Sequence, residues 1–293
     1  MRALIVTAVA AERDAVVRGL GRSMSGADAP GGPAEPAVRA EDTAPGAPVP
    51  AEVALPGGVL HRLEWSGAPD LTVDVLAAGV GPAAAAAGTA TALTAAALAG
   101  ARYDLAVSAG IGGGFTGVNP AGTNPAGTEG APRAPLGSVV VAEAIVAADL
   151  GAETPDGFAP VTDLGFGTVE HLPPADLVTA AAEATHAVRG TVLTVSTVTG
   201  GAARAAELLR RHPRAAAEAM EGFGVAEAAA AQSVPVLEVR AVSNAVGPRD
   251  RAAWRIGEAL EALADASGHL VPVLRTWTRA PARTSTGKEP GSD

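Results

Sequence analysis

Three polar side chains in this sequence follow apolar, strand-like runs, and their types could together carry out one reaction. Glu12, Glu221 and Asn244 each come at or just past the end of such a run. Because open α/β sheets hold their ligands beside the carboxyl ends of their strands, we expect these side chains to face a ligand. A carboxylate can act as a general base for water, a second carboxylate can accept hydrogen bonds from sugar hydroxyls, and an amide can read a heterocycle. If these roles hold, the site is expected to cleave a nucleoside.

Each of these residues also has a purely structural interpretation when it is taken alone. Glu12 begins a predicted helix, where a carboxylate is often only a favourable partner of the helix dipole. Met220, beside Glu221, is the kind of side chain that more often packs in a core. Asn244 could simply form a turn before Gly247-Pro248. The order and spacing of the residues, and no single one of them, favour the catalytic interpretation.

Two glycine-rich segments follow strand-like runs. Gly79-Val80-Gly81 precedes a helix and resembles half of a dinucleotide-binding fingerprint, but the third glycine is missing at the required spacing. Ser108–Gly114 is predicted to form a cradle for an anion or a ribose, because glycine lets backbone N–H groups approach a ligand closely. A tight strand-to-helix turn is the alternative for both segments.

Composition excludes several other kinds of chemistry. The 293 residues include no cysteine and a single lysine, Lys288, so thiolate chemistry, a Schiff-base lysine and a phosphate-binding P-loop are excluded. The five histidines show no spacing typical of metal ligands, and we predict neither a metal nor a cofactor. A formal net charge of −10 argues against a nucleic-acid partner.

Strand-like segments alternate with helical ones, which indicates one α/β domain with a mixed sheet flanked by helices. We predict that it spans residues 1–274, with flexible inserts at 24–50 and 116–135 and a disordered tail at 275–293. The short N-terminal apolar run is typical of a first strand rather than a signal peptide, and no segment is convincing as a membrane span, so we predict a cytoplasmic protein. The predicted strands are 3–9, 58–65, 70–77, 103–108, 137–146, 191–195, 215–220 and 236–242, and the predicted helices are 10–20, 82–99, 201–212, 223–232 and 252–268.

The motifs, taken in this order, resemble those of the purine nucleoside phosphorylase and nucleosidase superfamily, particularly its methylthioadenosine/adenosylhomocysteine nucleosidase branch. The resemblance covers about residues 1–22 and 70–274. Its most specific features are the Met-Glu pair and the Arg-x-x-Ser pattern. The segments that carry it are Ile5-Val6-Thr7-Ala8 with Glu12, Gly79-Val80-Gly81, Ser108-Ala109-Gly110-Ile111-Gly112-Gly113, Gly137-Ser138-Val139-Val140-Val141, Met220-Glu221-Gly222 and Arg240-Ala241-Val242-Ser243-Asn244.

The resemblance implies a nucleoside phosphorylase-like fold and a role for each matched residue. Glu12 would activate the attacking water, Met220 would line the ribose, and Glu221 would hydrogen-bond the ribose 2′-hydroxyl. The base would be bordered by a further set of positions, which are Ser108, Ala109, Gly110 and the segment Val195–Val198, of which Val198 is a predicted substrate-binding residue. Members of this superfamily are usually dimeric or larger, so the resemblance also implies a homo-oligomer.

Two departures from the family pattern bear on the leaving group and the nucleophile. Asn244 stands where the nucleosidases carry an aspartate that hydrogen-bonds N7 of adenine. An amide donates as well as accepts, which suits the O6 and N7 acceptors of a 6-oxopurine. Leu105 matches the position where uridine-type phosphorylases place an arginine, and residues 63–101 contain no Arg or Lys. Phosphate would lack these cationic partners, so water is the predicted nucleophile.

The expected nucleosidase activity, together with the preference for hypoxanthine, is similar to that of one subfamily, the futalosine hydrolases of the alternative menaquinone pathway. The segments similar to that subfamily are Ala148–Glu153, Glu218–Gly224 and Ser243–Asp250. The implied reaction is hydrolysis of futalosine to hypoxanthine and dehypoxanthine futalosine, and Arg249 and Arg251 are candidates to bind the 5′ side of the substrate. The alternatives are a nucleosidase acting on methylthioadenosine or aminofutalosine, a non-catalytic nucleoside sensor, and a Rossmann oxidoreductase, which the incomplete fingerprint disfavours.

Overall fold

The computed structural model describes residues 1–22, 48–65, 70–116 and 132–278. Of the predicted insert 24–50, only residues 48–50 are among them. Of the predicted insert 116–135, the model describes residue 116 and residues 132–135. The predicted tail lies outside the described residues from residue 279 onward, and the last helix ends at Thr276, just past the predicted boundary at 275.

Within these ranges the chain forms twelve strands, six helices and one short 3₁₀ turn. The strands are β1 (Arg2–Thr7), β2 (Ala51–Leu55), β3 (Gly58–Trp65), β4 (Leu71–Ala77), β5 (Leu105–Gly114), β6 (Val139–Ala147), β7 (Gly151–Thr154), β8 (Gly157–Pro160), β9 (Glu170–His171), β10 (Val188–Thr194), β11 (Ala215–Ala219) and β12 (Val236–Ala245). The helices are α1 (Ala10–Arg22), α2 (Pro82–Leu98), α3 (Ala175–Thr185), α4 (Ala202–Arg211), α5 (Gly222–Ala231) and α6 (Ile256–Thr276), and the 3₁₀ turn is Arg251–Ala253.

Ten of the strands form one mixed sheet, in the order β11-β10-β6-β12-β5-β1-β4-β3-β2, with β9 paired to β6. Strand β5 is parallel to β1 and β12, whereas β6 and β12 are antiparallel. Strand β11 also pairs with the far end of β5, so that β11, β10, β6, β12 and β5 close into a five-stranded ring. The mixed α/β fold predicted from the sequence is confirmed.

Helices cover both faces of the sheet, which explains why its inner strands are continuous apolar runs. One core cluster joins β1, β4 and β5 to the mutually packed helices α1, α3 and α6. A second lies beneath α2 and α5, which are rich in alanine and pack against each other. With few aromatic residues available, the core is built mainly from Val, Leu, Ile and Ala. This packing fixes the positions of the strand ends that carry the candidate site.

Three features of the fold differ from the sequence predictions. Ser108–Gly114 is not a loop, because β5 continues through it, paired with β12 along its whole length and with β11 at Gly113 and Gly114. Helix α3 and the β7–β8 hairpin lie in a stretch where no element was predicted. The last helix begins at Ile256, later than the predicted residue 252, and continues through Pro272.

A buried carboxylate in β4 gives the stability of the protein a specific dependence on pH. Asp74 accepts hydrogen bonds from Arg62, from Arg2 Nη2 at 2.8 Å and from the Tyr103 hydroxyl at 2.6 Å. Burial opposes its charge, but the hydrogen bonds from Arg62, Tyr103 and Arg2 outweigh burial and lower the pKa of Asp74. A carboxyl group whose pKa is lower when folded stabilises the protein above its unfolded pKa of about 3.9, and this contribution is lost as the pH falls through the folded value.

We therefore expect Asp74→Asn to lower the free energy of unfolding by about 2 kcal/mol at pH 7, as is typical for hydrogen bonds to a charged group. The difference from the wild type should shrink below about pH 4, because the wild-type carboxyl then takes up a proton. Urea denaturation at pH 7 and pH 3 measures both values. Glu64→Gln, at an exposed position of neighbouring β3, is the control and should change stability little. A pH-independent difference would contradict the assignment.

Candidate active site

A cavity of about 370 Å³ opens where β1, β5, β11 and β12 end. Five of the eight residues predicted to form the site line it, namely Glu12, Val198, Met220, Glu221 and Asn244. The remaining three do not line it, and these are Ser108, Ala109 and Gly110. The glycine-rich end of β5 reaches the cavity later, at Ile111, Gly112 and Gly113.

Glu12 lies in the first turn of α1 and is buried against the cavity, with 4% of its surface exposed. Its Oε2 atom accepts hydrogen bonds from the backbone N–H groups of Ala8 at 2.9 Å and Val9 at 3.3 Å. Its Oε1 atom accepts a hydrogen bond from the backbone N–H of Ile111 at 2.9 Å. The carboxylate therefore also caps the start of its helix, which agrees with the structural interpretation of Glu12 as a partner of the helix N-terminus. Because both oxygens are held by backbone donors, its orientation toward the cavity is fixed.

Glu221 is the second buried carboxylate of the cavity and lies immediately before α5. Its Oε1 atom accepts a hydrogen bond from the Gly81 N–H at 3.2 Å, and its Oε2 atom accepts from the Met220 N–H and from Arg240 Nη1. The Gly79-Val80-Gly81 segment therefore positions Glu221 through the backbone N–H of Gly81. Met220 is partly exposed and lines the cavity beside Glu221, where it offers an apolar surface.

Arg240 lies beneath the cavity and was given no role by the sequence analysis. It is 1% exposed, and its Nε atom donates to Glu238 Oε1 at 2.9 Å. Its Nη1 and Nη2 atoms donate to Glu221 Oε2 at 3.2 Å and to Ser108 Oγ at 2.8 Å. Burial opposes the charge on Arg240, but the carboxylates of Glu238, Glu221 and Glu12 outweigh it and raise its pKa. The guanidinium is therefore a fixed cation that couples two strands to Glu221.

The sequence did contain a signal for this pair. Glu238 and Arg240 stand two residues apart in an otherwise apolar strand, so their side chains project from the same face. Charges inside a covered strand have to be paired. Burial raises the pKa of Glu238, and Arg240 offsets part of that rise.

Ser108, Ala109 and Gly110 form a layer directly behind the lining of the cavity. Ser108 is fully buried and holds Arg240. A Cβ atom at Gly110 would lie 2.6 Å from Arg240 Nη1 and 2.7 Å from Glu12 Oε1, so only glycine lets these two groups approach β5 so closely. The structure thus places Ser108 and Gly110 against the charged groups, whereas Ala109 packs in the apolar core. The predicted contact of these three residues with the base stays a prediction.

Asn244 lies near the end of β12, and its amide orientation is set by its neighbours. Its Nδ2 atom donates to the Ala245 carbonyl at 3.1 Å, and its Oδ1 atom accepts from the Ser243 hydroxyl at 2.9 Å. A carbonyl can only accept, so the nitrogen must face Ala245. The amide nitrogen carries two N–H bonds, and among the described residues only the Ala245 carbonyl accepts from it. The second N–H is available to a ligand in the cavity.

Glu218 and Thr199 line the same cavity and were not among the predicted site residues. Glu218 is 5% exposed and accepts hydrogen bonds from the Thr199 N–H at 2.7 Å and from the Thr199 hydroxyl. Burial raises the pKa of Glu218, and the hydrogen bonds from Thr199 offset only part of the rise. An acid within the apolar run Ala215–Ala219 was the signal that could have identified it.

Comparison with known proteins identifies the family. A family model described as the phosphorylase superfamily matches residues 34–275. A futalosine hydrolase from Streptomyces coelicolor is 63% identical to the chain over 94% of this chain and 98% of that protein. A second futalosine hydrolase, from Acidothermus cellulolyticus, is 42% identical over 90% of this chain and 87% of that protein. The chain belongs to the phosphorylase superfamily, in its futalosine hydrolase family.

Solved structures share the fold of this futalosine hydrolase family member at low identity. A methylthioadenosine/adenosylhomocysteine nucleosidase from Colwellia psychrerythraea in complex with adenine has a TM-score of 0.64 at 21% identity, covering 94% of this chain and 93% of that one. A futalosine hydrolase from Helicobacter pylori has a TM-score of 0.63 at 17% identity, covering 94% of this chain and 97% of that one. At these identities the likeness shows the fold alone.

The mouth of the cavity in this family member carries an arginine and a tryptophan. Arg249 and Trp254 both line it, and the Arg249 guanidinium lies 5.4 Å from the centre of the Trp254 ring. Arg251 lies 5.9 Å from the same ring centre but does not line the cavity. Of the two arginines suggested for the 5′ side of a substrate, Arg249 is therefore the one at the opening.

Within residues 1–22, 48–65, 70–116 and 132–278, no group of three or more His, Asp or Glu side chains is placed to hold a metal ion. In the same ranges no helix combines the length and apolarity needed to cross a bilayer.

Proposed function

We propose that this protein hydrolyses the N-glycosidic bond of futalosine, which gives hypoxanthine and dehypoxanthine futalosine. The observation that carries the proposal is the identity with futalosine hydrolases over nearly the whole chain. The cavity supports it independently, because a fixed carboxylate at Glu12, a second buried carboxylate at Glu221 and an amide donor at Asn244 face one space.

In the proposed mechanism Glu12 takes a proton from a water molecule, whose oxygen attacks C1′ of the ribose while the bond from C1′ to the base breaks. Glu221 accepts a hydrogen bond from the ribose 2′-hydroxyl and holds the sugar as it takes on oxocarbenium character. The departing hypoxanthine gains negative charge at its ring nitrogens, and the free N–H of Asn244 stabilises that charge at N7. Such hydrogen bonds count most where charge develops in the transition state. The leaving base then takes up a proton from solvent, and Glu12 releases the proton that it took from water, which restores the carboxylate.

The nucleophile is proposed to be water, but one of the sequence arguments for water does not stand. Leu105 is fully buried at the start of β5, at the opposite end of the strand from the cavity, so its identity has no bearing on a phosphate site. Arg240 is a buried cation behind the cavity, and each of its three nitrogens already donates to Glu238, Glu221 or Ser108. This arrangement favours a neutral nucleophile beside Glu12.

The decisive experiment is an assay of hypoxanthine release from futalosine in phosphate-free buffer, with methylthioadenosine and aminofutalosine as competing substrates. Release at full rate without phosphate supports the proposal. A strict requirement for phosphate would contradict hydrolysis, and faster turnover of methylthioadenosine would contradict the substrate. Tight binding of futalosine without any product would favour the nucleoside sensor.

Asn244→Asp is expected to shift the preference from futalosine toward 6-amino nucleosides. A carboxylate cannot donate to O6 or N7, and its oxygen would face the Ala245 carbonyl where the amide nitrogen now donates. We expect kcat/KM for futalosine to fall by about 10- to 100-fold, the usual cost of leaving a buried acceptor without its donor. The ratio of kcat/KM values for futalosine and aminofutalosine measures the shift. Asn244→Ala is the control, because loss of the contact alone should lower kcat/KM for futalosine and for aminofutalosine together. A change of preference appears only if the ratio shifts in Asn244→Asp.

Three further features belong to the proposal. We propose that residues 1–274 fold as one hydrolase unit, which the continuous sheet from β1 to β12 supports. A homo-oligomer is supported by large apolar side chains on the surface, such as Phe166 at 62% and Leu172 at 69% exposure. Sedimentation velocity tests that state. A cytoplasmic location is proposed with the substrate and is tested by cell fractionation.

A further inference from the structure

Two polar residues of the cavity stand on either side of Gly113. Gly113 in β5 pairs with Glu218 of β11 across one edge and with Asn244 of β12 across the other. Directly paired residues on neighbouring strands project their side chains to the same face of the sheet. With strands about 4.8 Å apart, the Cα atoms of Glu218 and Asn244 are roughly 10 Å apart. The two side chains therefore flank one space over the backbone of Gly113.

That space exists because residue 113 has no side chain. A Cβ atom there would lie 2.9 Å from Val246 Cγ2 and 3.2 Å from Asn244 Nδ2. Glu218, Gly113 and Asn244 all line the cavity, so the space is continuous with the site already described. A flat heterocycle placed over Gly113 would have Glu218 at one edge and Asn244 at the other.

The proposed mechanism leaves Glu218 without a task, although it is a buried acid in the cavity. Thr199 supplies one hydrogen bond to each of its oxygens. Each carboxylate oxygen can accept two hydrogen bonds, so both retain a free acceptor position. A buried carboxylate is costly unless donors surround it. A ligand N–H group is therefore the kind of partner that Glu218 can bind most favourably.

We propose that Glu218 is a specificity-determining residue, which accepts a hydrogen bond from the N1–H group of a 6-oxopurine while Asn244 donates at the opposite edge of the ring. This inference rests on the proposed function. A 6-oxopurine carries a proton on N1, whereas N1 of a 6-aminopurine is an unprotonated acceptor that repels a carboxylate. Glu218 as acceptor and Asn244 as donor, on the two sides of Gly113, together select a 6-oxopurine over a 6-aminopurine.

The first test uses the wild-type protein and the free bases hypoxanthine, adenine and 1-methylhypoxanthine in isothermal titration calorimetry. The methyl group replaces the N1 proton and leaves O6 and N7 unchanged. We expect hypoxanthine to bind about 10- to 100-fold more tightly than either of the other bases, the range for a hydrogen bond to a charged acceptor. Equal affinities for hypoxanthine and 1-methylhypoxanthine would overturn the inference without involving any variant.

The second test uses Glu218→Gln, whose amide keeps the size of the side chain but can donate to N1 of a 6-aminopurine. We expect the ratio of kcat/KM for futalosine to that for aminofutalosine to fall about tenfold or more. Glu183→Gln makes the same chemical change at an exposed position of α3 that does not line the cavity, so it is the matched control and should leave the ratio unchanged. An unchanged ratio in Glu218→Gln, or an equal shift in both variants, would overturn the role of Glu218.

The two proposals fail in distinguishable ways. If the wild type released no hypoxanthine from futalosine, the proposed function would fall. Tighter binding of hypoxanthine than of 1-methylhypoxanthine would still support the hydrogen bond from the N1–H group to Glu218. If futalosine were hydrolysed but the bases bound equally, the function would stand and the role of Glu218 would be overturned.

Discussion

Glu12→Gln is expected to lower kcat for futalosine hydrolysis by about 10²- to 10⁴-fold, the usual contribution of a positioned general base. Glutamine keeps the length of the side chain but cannot take a proton from water. The structure adds a second reason, because both oxygens of Glu12 accept hydrogen bonds from backbone N–H groups. An amide must turn its NH₂ group toward one of these donors and lose that bond. Initial rates of hypoxanthine release at saturating futalosine measure the effect.

Asp14→Asn is the matched control for this prediction. Asp14 lies on the same helix, two residues further along, with its side chain exposed and bonded to Arg13. Asp14→Asn should leave kcat for futalosine hydrolysis unchanged. Binding of hypoxanthine to Glu12→Gln, measured by calorimetry, should stay within a few-fold of the wild type if the cavity is intact. A Glu12→Gln enzyme with wild-type kcat would remove Glu12 from the mechanism.

Arg240→Met is expected to lower the free energy of unfolding by about 3–5 kcal/mol, the cost of leaving a buried charge without its partner. Glu238 is fully buried, and Arg240 is its hydrogen-bond partner. Burial alone then raises the pKa of Glu238 further, so the carboxyl group takes up a proton when the variant folds. The loss of stability should therefore be largest at neutral pH and should diminish as the pH approaches the unfolded value of about 4.3. Urea denaturation between pH 4 and pH 7 measures it.

Two further variants separate the buried pair from a general effect of removing arginine. Glu238→Leu combined with Arg240→Met replaces both charges and should recover most of the stability. Its activity should remain low, because Glu221 has still lost its contact with Nη1. Arg255→Met, which breaks the exposed ion pair with Glu258, should change stability by less than about 1 kcal/mol. If Arg240→Met were no less stable than Arg255→Met, the pair would not hold these strands together.

The sequence was sufficient to find several of the groups that line the cavity. Glu12, Met220 and Glu221 follow strands and Asn244 lies near the end of one, and the ends of strands are where a sheet presents side chains to ligands. It was not sufficient for groups defined by tertiary pairing. The spacing of Glu238 and Arg240 in an apolar strand could have indicated a buried pair, but the contact between Arg240 and Glu221 joins separate elements and is visible only in the structure.

The glycine-rich end of β5 was misread for a related reason. Glycine is typical of turns, and its local preference gives no sign that both edges of a strand are occupied. The segment is a strand because β12 pairs with it along its whole length and β11 pairs with its last two residues. The same pairing brings Glu218 to the cavity, which explains why the sequence did not suggest it.

The five-stranded ring has a consequence for the order of folding. Its closing contact joins Gly113 and Gly114 to Ala217 and Glu218, residues that are about a hundred positions apart in the chain. Contacts between such distant residues form slowly, because closing the long loop costs chain entropy before the new contact stabilises the protein. Until that contact forms, Glu218 and Asn244 do not flank a common space. Refolding protein should therefore recover helical circular dichroism before it recovers the ability to bind hypoxanthine, and the binding of the base would report the last step of assembly.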